Sequence, residues 1–120
     1  MELNDYQKKA MSTRTESSDN FSYMAFGMVA EVGEIADKVA KAIRKKEAII
    51  RDNMFYPSSQ MDRNVEIREG LKKELGDVLW FVSGLADAMG WTLEEVAQLN
   101  LDKLADRQKR GVIVGNGDER

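Results

Sequence analysis

The chain contains neither cysteine nor histidine. Without cysteine there are no disulfides, no zinc–thiolate centre and no thiol nucleophile. Without histidine the commonest general base is gone, and with it Ser-His-Asp chemistry. Proline occurs once, at Pro57, and β-branched alternation is nearly absent, so little in the sequence interrupts or competes with helix. No apolar run approaches the ~18 residues that mark a membrane span, and no charged-then-apolar leader is visible, so neither a membrane partner nor export is expected and the cytoplasm is the expected location. An excess of basic residues is also missing: the net charge of −3 argues against a nucleic-acid partner, whose protein surfaces are normally basic. Any catalysis must therefore run on carboxylates, amines, hydroxyls and a bound metal.

What is present points to one all-α domain spanning residues 1–120. At 120 residues the chain can bury roughly two thirds of its unfolded surface around one core. With 42% hydrophobic and 32% charged residues it reads as soluble and globular rather than disordered. Apolar spacing predicts a first helix over 3–15, on Leu3, Tyr6, Ala10 and Met11. It predicts a second over 21–46, with Phe21, Met24, Met28, Val32, Ile35, Val39 and Ala42 on its inner stripe. A third is expected over 65–89, on Leu71, Leu75, Val78, Val82, Leu85 and Met89, closed by Gly90. Thr92 and Glu95 fit a capping box that opens a fourth over 93–109. The stretch 47–65, with Asn53, Pro57, Ser58, Ser59 and Asn64, reads as a loop or arm, and 111–120 as a glycine-rich tail. Four helices joined in this way predict a bundle. The seven methionines read as adaptable packing. So much apolar surface on two long helices implies a second copy against them, as a homodimer or a dimer-based homotetramer.

The most informative feature is a repeated acidic pattern. Glu31-Val32-Gly33-Glu34-Ile35 recurs 43 positions later as Glu74-Leu75-Gly76-Asp77-Val78. At about 100° per residue, Glu31 lies some 60–70° from the centre of its helix's apolar stripe, and Glu34 lies at the stripe's edge. Glu74 and Asp77 repeat that arrangement. A partly buried carboxylate without a partner costs several kcal/mol, and two facing pairs would repel unless a cation neutralised them. Mg²⁺ suits such a set because it prefers oxygen ligands and often bridges protein carboxylates to phosphates; Mn²⁺ is the natural substitute. The plainer reading is solvated helix charge paired with Lys38, Lys41 or Lys73. Gly33 and Gly76 each cost about 1 kcal/mol relative to Ala inside a helix, and their matched positions predict close packing of another backbone, the alternative being tolerated surface glycines.

These residues resemble the MazG-like nucleoside triphosphate pyrophosphohydrolases, all-α enzymes of the dUTPase/MazG superfamily. The family's Glu-x-x-Glu helix followed by Glu-x-x-Asp is matched by Glu31/Glu34 and Glu74/Asp77. Tyr6-Gln7 with Ala10 and Thr13 resembles the family's opening helix, and Glu74 through Trp80 its third. Asn100, Lys103-Leu104 and Arg107 resemble the fourth, and Arg110-Gly111 with Gly115-x-Gly117-Asp118-x-Arg120 the closing segment. The likeness covers most of the chain. One departure is Ala30, where many members carry a second consecutive acid; another is the long spacer between the acidic pairs.

The resemblance implies hydrolysis of a nucleoside triphosphate between its α and β phosphates, with Mg²⁺, to monophosphate and pyrophosphate. Glu31, Glu34, Glu74 and Asp77 would be the metal ligands, unless one of them, with Glu34 preferred, instead orients or deprotonates the attacking water. Lys103 would place a cation beside the triphosphate, one turn beyond Asn100. Lys38, Arg107 and Arg110 are further substrate candidates, Trp80 could stack on a base and Gln7 could read a base edge. For Lys38 and Lys103 the alternatives are a local ion pair and a solvated lysine; for Trp80 it is core packing. Ala30 also leaves open a non-catalytic helical regulator that binds nucleotides or a partner protein.

Overall fold

A computed structural model describes residues 1–120. Four helices carry the chain: α1 (Leu3–Met11), α2 (Phe21–Arg44), α3 (Met61–Ala88) and α4 (Leu93–Arg110). A short 3₁₀ turn, Glu16–Ser18, precedes α2, and two strands, β1 (Ala48–Arg51) and β2 (Met54–Pro57), lie between α2 and α3. The architecture is thus mostly helical with one small antiparallel sheet. No helix is long and apolar enough to cross a membrane.

The segment expected to be an irregular arm is instead a β-hairpin and the start of α3. Ala48 pairs with Pro57 and Arg51 with Met54, leaving Asp52 and Asn53 as a two-residue turn. Both have positive φ, 52° and 62°, the geometry of a type I′ hairpin turn that Asp and Asn tolerate. α3 begins at Met61 rather than 65 because its entry is tied down locally. Asn64 Nδ2 donates to the Ser58 carbonyl at 3.0 Å, and Arg63 Nε donates to Glu47 Oε2 at 2.6 Å. At the other end of the chain's first segment, α1 stops at Met11, and 12–15 turn away into the 3₁₀ segment.

Helix ends follow their local chemistry. Asn20 caps α2 by accepting from Tyr23 N at 2.8 Å. Thr92 and Glu95 form the expected capping box, with bonds of 3.1 and 2.7 Å. α1 supplies the rest of α4's entry. Asn4 Oδ1 accepts from Glu94 N at 3.1 Å and Gln7 Oε1 from Leu93 N at 2.9 Å, so three donors with no helical partner are all met. α2, α3 and α4 all end on a residue in the left-handed region: Lys46, Gly90 and Gly111. At α2 the Glu47 and Lys46 amides donate to the Ala42 and Ile43 carbonyls at 2.8 and 2.9 Å, closing the helix although no glycine is there.

The body is the antiparallel α2–α3 pair. Met24 lies against Gly84, Gly27 against Phe81, Lys38 against Glu74, and Glu47 against Arg63. As one number rises the other falls. Each helix seats a large side chain over the other's glycine: a Cβ on Gly27 would meet the Phe81 ring at 2.0 Å, and one on Gly84 would meet Met24 Sδ at 2.1 Å. The close approach expected at Gly33 and Gly76 falls at these two positions instead; a Cβ on Gly33 or Gly76 meets nothing within 4 Å. Around this contact Ala10, Met11, Met24 and Phe81 form the buried core, with Tyr6, Met28, Trp80 and Leu85 packed on it. α1 lies on α3, and α4 docks mainly on α1.

The core is small. Only 13 of 120 residues are buried, and the radius of gyration is 17.7 Å, against about 14 Å for a compact chain of this length. Several positions expected on inner stripes face outward: Phe21, Val32, Leu75 and Met89 are all exposed. They join Phe26, which is 78% exposed, Val29 and Leu79 in an apolar surface on the α2–α3 pair. A surface of this extent is unusual on a stable monomer.

Candidate functional site

The antiparallel register that sets Met24 over Gly84 also brings the two acidic motifs together. One carboxylate oxygen each from Glu31, Glu74 and Asp77 lie within 4.8 Å of one another. Glu31 and Glu74 are half-buried, and Asp77 is exposed at the rim. Burial, and then the negative charges of Asp77, Glu74 and Glu34, push the Glu31 carboxyl above its usual range. Three carboxylates therefore crowd together with one neighbouring cation: Lys38 Nζ lies 3.2 Å from Glu74 Oε1. The set is hard, oxygen-only and short of positive charge, which fits a divalent cation such as Mg²⁺. Glu34 stands outside this trio, exposed on the same turn of α2 and near enough to repel Glu31.

Tyr6 borders the cluster from α1. Its phenol is raised first by burial and then by the charge of Asp77. Beyond it the wall is aromatic: Trp80 and Phe81 meet edge to face with centroids 4.9 Å apart, and Tyr23 lies 5.7 Å from Phe81.

The other candidate residues are placed elsewhere or are otherwise engaged. Gln7 is buried between α1, α3 and α4, where Nε2 donates to the carbonyls of Ser83 (3.3 Å) and Trp91 (3.0 Å) while Oε1 accepts from Leu93 N. Trp80 Nε1 donates to the Ala10 carbonyl at 3.1 Å and to Thr13 Oγ1 at 2.8 Å. Asn100 is exposed on α4. Lys103, Arg107 and Arg110 gather around the C-terminal tail rather than the acids. Asp118 accepts from Lys103 Nζ at 3.2 Å and from Arg107 at 2.9 Å, while Arg110 donates to the Arg120 carbonyl at 2.5 Å and pairs with Asp106. Arg107 is buried, and its Nε has no partner. Sequence reasoning missed the role of Asp118, whose carboxyl is held below its usual range by Arg107 and then Lys103. The available signal was its place in Gly117-Asp118-x-Arg120, a short acidic element following a run of basic residues.

Comparison with known proteins agrees with this geometry. Residues 20–112, which include both acidic helices, match the family model described as the MazG nucleotide pyrophosphohydrolase domain. The chain is similar to the Gene 37 protein of Mycobacterium phage L5, 42% identical over 105 residues that cover 88% of this chain and 81% of that one. It is also similar to the uncharacterized protein YvdC of Bacillus subtilis (strain 168), 34% identical over 85 residues covering 71% and 76% of the two chains. No solved structure matches.

Proposed function

This chain belongs to the MazG nucleotide pyrophosphohydrolase family, and we propose that it is a divalent-metal-dependent nucleoside triphosphate pyrophosphohydrolase serving nucleotide-pool house-cleaning. The observation that carries this reading is the convergence of Glu31, Glu74 and Asp77 from two helices onto one point. These three would hold Mg²⁺, or Mn²⁺ in its place, with Glu34 as an outer ligand. The chemistry such a cation supplies is neutralisation of phosphate charge and acidification of water.

The chain's own residues supply the rest. Glu34, exposed and outside the trio, takes the proton of the attacking water. The α–β anhydride bond breaks as the water oxygen bonds to phosphorus, leaving nucleoside monophosphate and pyrophosphate. Lys38 pairs with the Glu74 carboxylate at 3.2 Å and would turn towards a phosphate oxygen when substrate binds. Tyr6 and the aromatic wall behind it form the apolar side, where a base would lie. In this reading Gln7 supports that wall rather than reads the base, because its amide is already bonded, while the indole N–H of Trp80 is fixed by Ala10 and Thr13 and its ring belongs to the wall. A second copy covers the exposed apolar surface of α2 and α3, and across that interface Asn100, Lys103 and Arg110 can serve the partner's site, while buried Arg107 holds the tail.

The test is a panel of standard and modified nucleoside triphosphates with Mg²⁺, scored chromatographically for monophosphate and pyrophosphate, with Glu74→Gln as control. Release of both products, lost in the variant, is the expected result. Silence across the panel with nucleotide still bound would favour the regulator reading that Ala30 keeps open.

A further inference from the structure

The carboxylate cluster divides the α2–α3 groove into two unlike ends. Toward the start of α2 and the end of α3 lie Tyr23, Trp80 and Phe81, with Tyr6 beside them. In the opposite direction the groove opens into a cavity of about 430 Å³ between the end of α2 and the start of α3, within the usual range of about 300–1,000 Å³ for small-molecule sites. Its lining has no aromatic residue; the only apolar members are Ala42 and Ile67. Five cations face it: Lys38, Lys41, Lys45, Arg63 and Lys73. Glu74 belongs to both features, so cavity and carboxylate cluster are continuous.

The balance of charge within this trough is uneven. Lys41 is held by Asp37 at 2.5 Å, Arg63 by Glu47 and Glu66, and Lys38 by Glu74. The lining carboxylate Glu69 is taken up by Lys72 at 2.6 Å. Lys45 and Lys73 form no ion pair, although Lys73 is near enough to Glu69 to help lower its carboxyl, and they stand on opposite walls, Lys45 capping the end of α2 and Lys73 on α3. Two uncommitted ammonium groups beside a cation-seeking carboxylate cluster suit a ligand that brings metal and negative charge together. A metal-chelated diphosphate is such a ligand, since lysine serves phosphate as a mobile point charge. The cations of α4 offer no equivalent within one chain, because Asp118 and the tail already hold them.

We infer that this trough is a pyrophosphate subsite. It takes the β and γ phosphates of the substrate, and the released inorganic pyrophosphate, between Lys45 and Lys73, with Lys38 at the junction. This rests on the pyrophosphohydrolase reading and adds a direction to it: the nucleotide lies along the groove, base at the aromatic end and phosphate tail at the lysine end. A monophosphate would leave the trough empty, which favours departure of the nucleotide product over rebinding.

The experiment is calorimetric titration of the full chain with inorganic pyrophosphate and Mg²⁺, alongside steady-state turnover. Lys45→Ala/Lys73→Ala is compared with Lys45→Arg/Lys73→Arg and with Lys8→Ala/Lys9→Ala, which removes equal charge from α1. The expected result is at least a tenfold weaker pyrophosphate affinity in the trough alanine variant, with a matching rise in KM. Substantial recovery is expected in the arginine variant, and no change in the α1 variant. If the wild type turns over nucleotides and the trough variant keeps its pyrophosphate affinity, the subsite is overturned and the enzymatic reading stands. If the wild type binds pyrophosphate through these lysines but hydrolyses nothing, the subsite stands and the enzymatic reading fails. Absence of pyrophosphate binding in the wild type overturns the subsite whatever the turnover.

Discussion

Two clusters of charge in this molecule are built on opposite rules. At the C-terminus, Lys103, Arg107 and Arg110 each find an oxygen within the same chain: Asp118, the Gly117 and Arg120 carbonyls, and Asp106. At the centre of α2–α3, Glu31, Glu74 and Asp77 crowd one another with a single lysine in contact. The first arrangement balances its charges within the chain, leaving only Arg107 Nε without a partner, and fastens the tail to α4. The second pays a repulsion that the fold does not relieve, and groups held in that condition mark sites awaiting something from outside. A charge cluster is informative by what it lacks, not by how many residues it gathers.

The largest expected effect comes from breaking the second cluster. Glu74→Gln should cut turnover by about a hundredfold or more, the scale seen when a charge-handling group is lost, while far-UV circular dichroism stays unchanged. Without metal its melting temperature should hold or rise, because one member of a repelling trio has been neutralised. A fall in melting temperature would show that Glu74 is a structural partner of Lys38 instead. The same variant should lose the Mg²⁺-dependent thermal shift that the wild type shows, since a ligand that binds only the folded state raises its stability.

Next in size is the frame that carries the cluster. Gly27→Ala should destabilise the chain by about 1–3 kcal/mol, read by urea unfolding at fixed protein concentration. The stiff Phe81 ring cannot yield to the new methyl as a flexible chain end could. Gly33→Ala, where a Cβ meets nothing within 4 Å, should stabilise an isolated chain by up to about 1 kcal/mol, and a loss instead would reveal an interface at that face.

The tail cluster should respond to pH in the direction its charges dictate. The folded pKa of Asp118 is depressed, so its stabilising contribution is present above the ordinary carboxylate range and is lost as pH falls through the lowered value. Asp118→Asn should therefore lower the melting temperature slightly at neutral pH and flatten the acid limb of the profile, so that variant and wild type converge as pH falls. The smallest effect expected is a gain. Lys46→Gly should stabilise by up to about 1 kcal/mol, because Lys46 holds φ 59° at the end of α2, a conformation that costs an L-residue roughly that much.

The parts of this fold legible in the sequence were those fixed by short-range chemistry. Thr92 and Glu95 announced α4, and the Glu31 and Glu74 motifs, through their shared spacing, announced two helices with acids at the edge of an apolar face. The hairpin was not legible. Its strands are four residues long, lack clean apolar–polar alternation in sequence, and turn on Asp52-Asn53 rather than a glycine-containing pair, while Ser58 and Asn64 read as loop although they fasten the start of α3. Which glycines mattered was also hidden, because Gly27 and Gly84 are defined by what crosses them from the other helix. The lysine trough needs the antiparallel register of α2 and α3 before Lys45 and Lys73 can be seen to face one space. Gln7 resembled a site residue in sequence and is a junction in space.

That junction has a bearing on how the chain comes into being. α1 is made before α3 and α4, yet the partners of its Gln7 amide are Ser83, Trp91 and Leu93. At about 5–20 residues per second of synthesis, roughly 4–17 s separate the appearance of Gln7 from that of Leu93. Until α3 is made, α1 lacks the surface it lies on, and until Leu93 follows, the Gln7 oxygen lacks its donor, so the α2–α3 pair forms the platform, α1 settles on it and α4 completes the junction last.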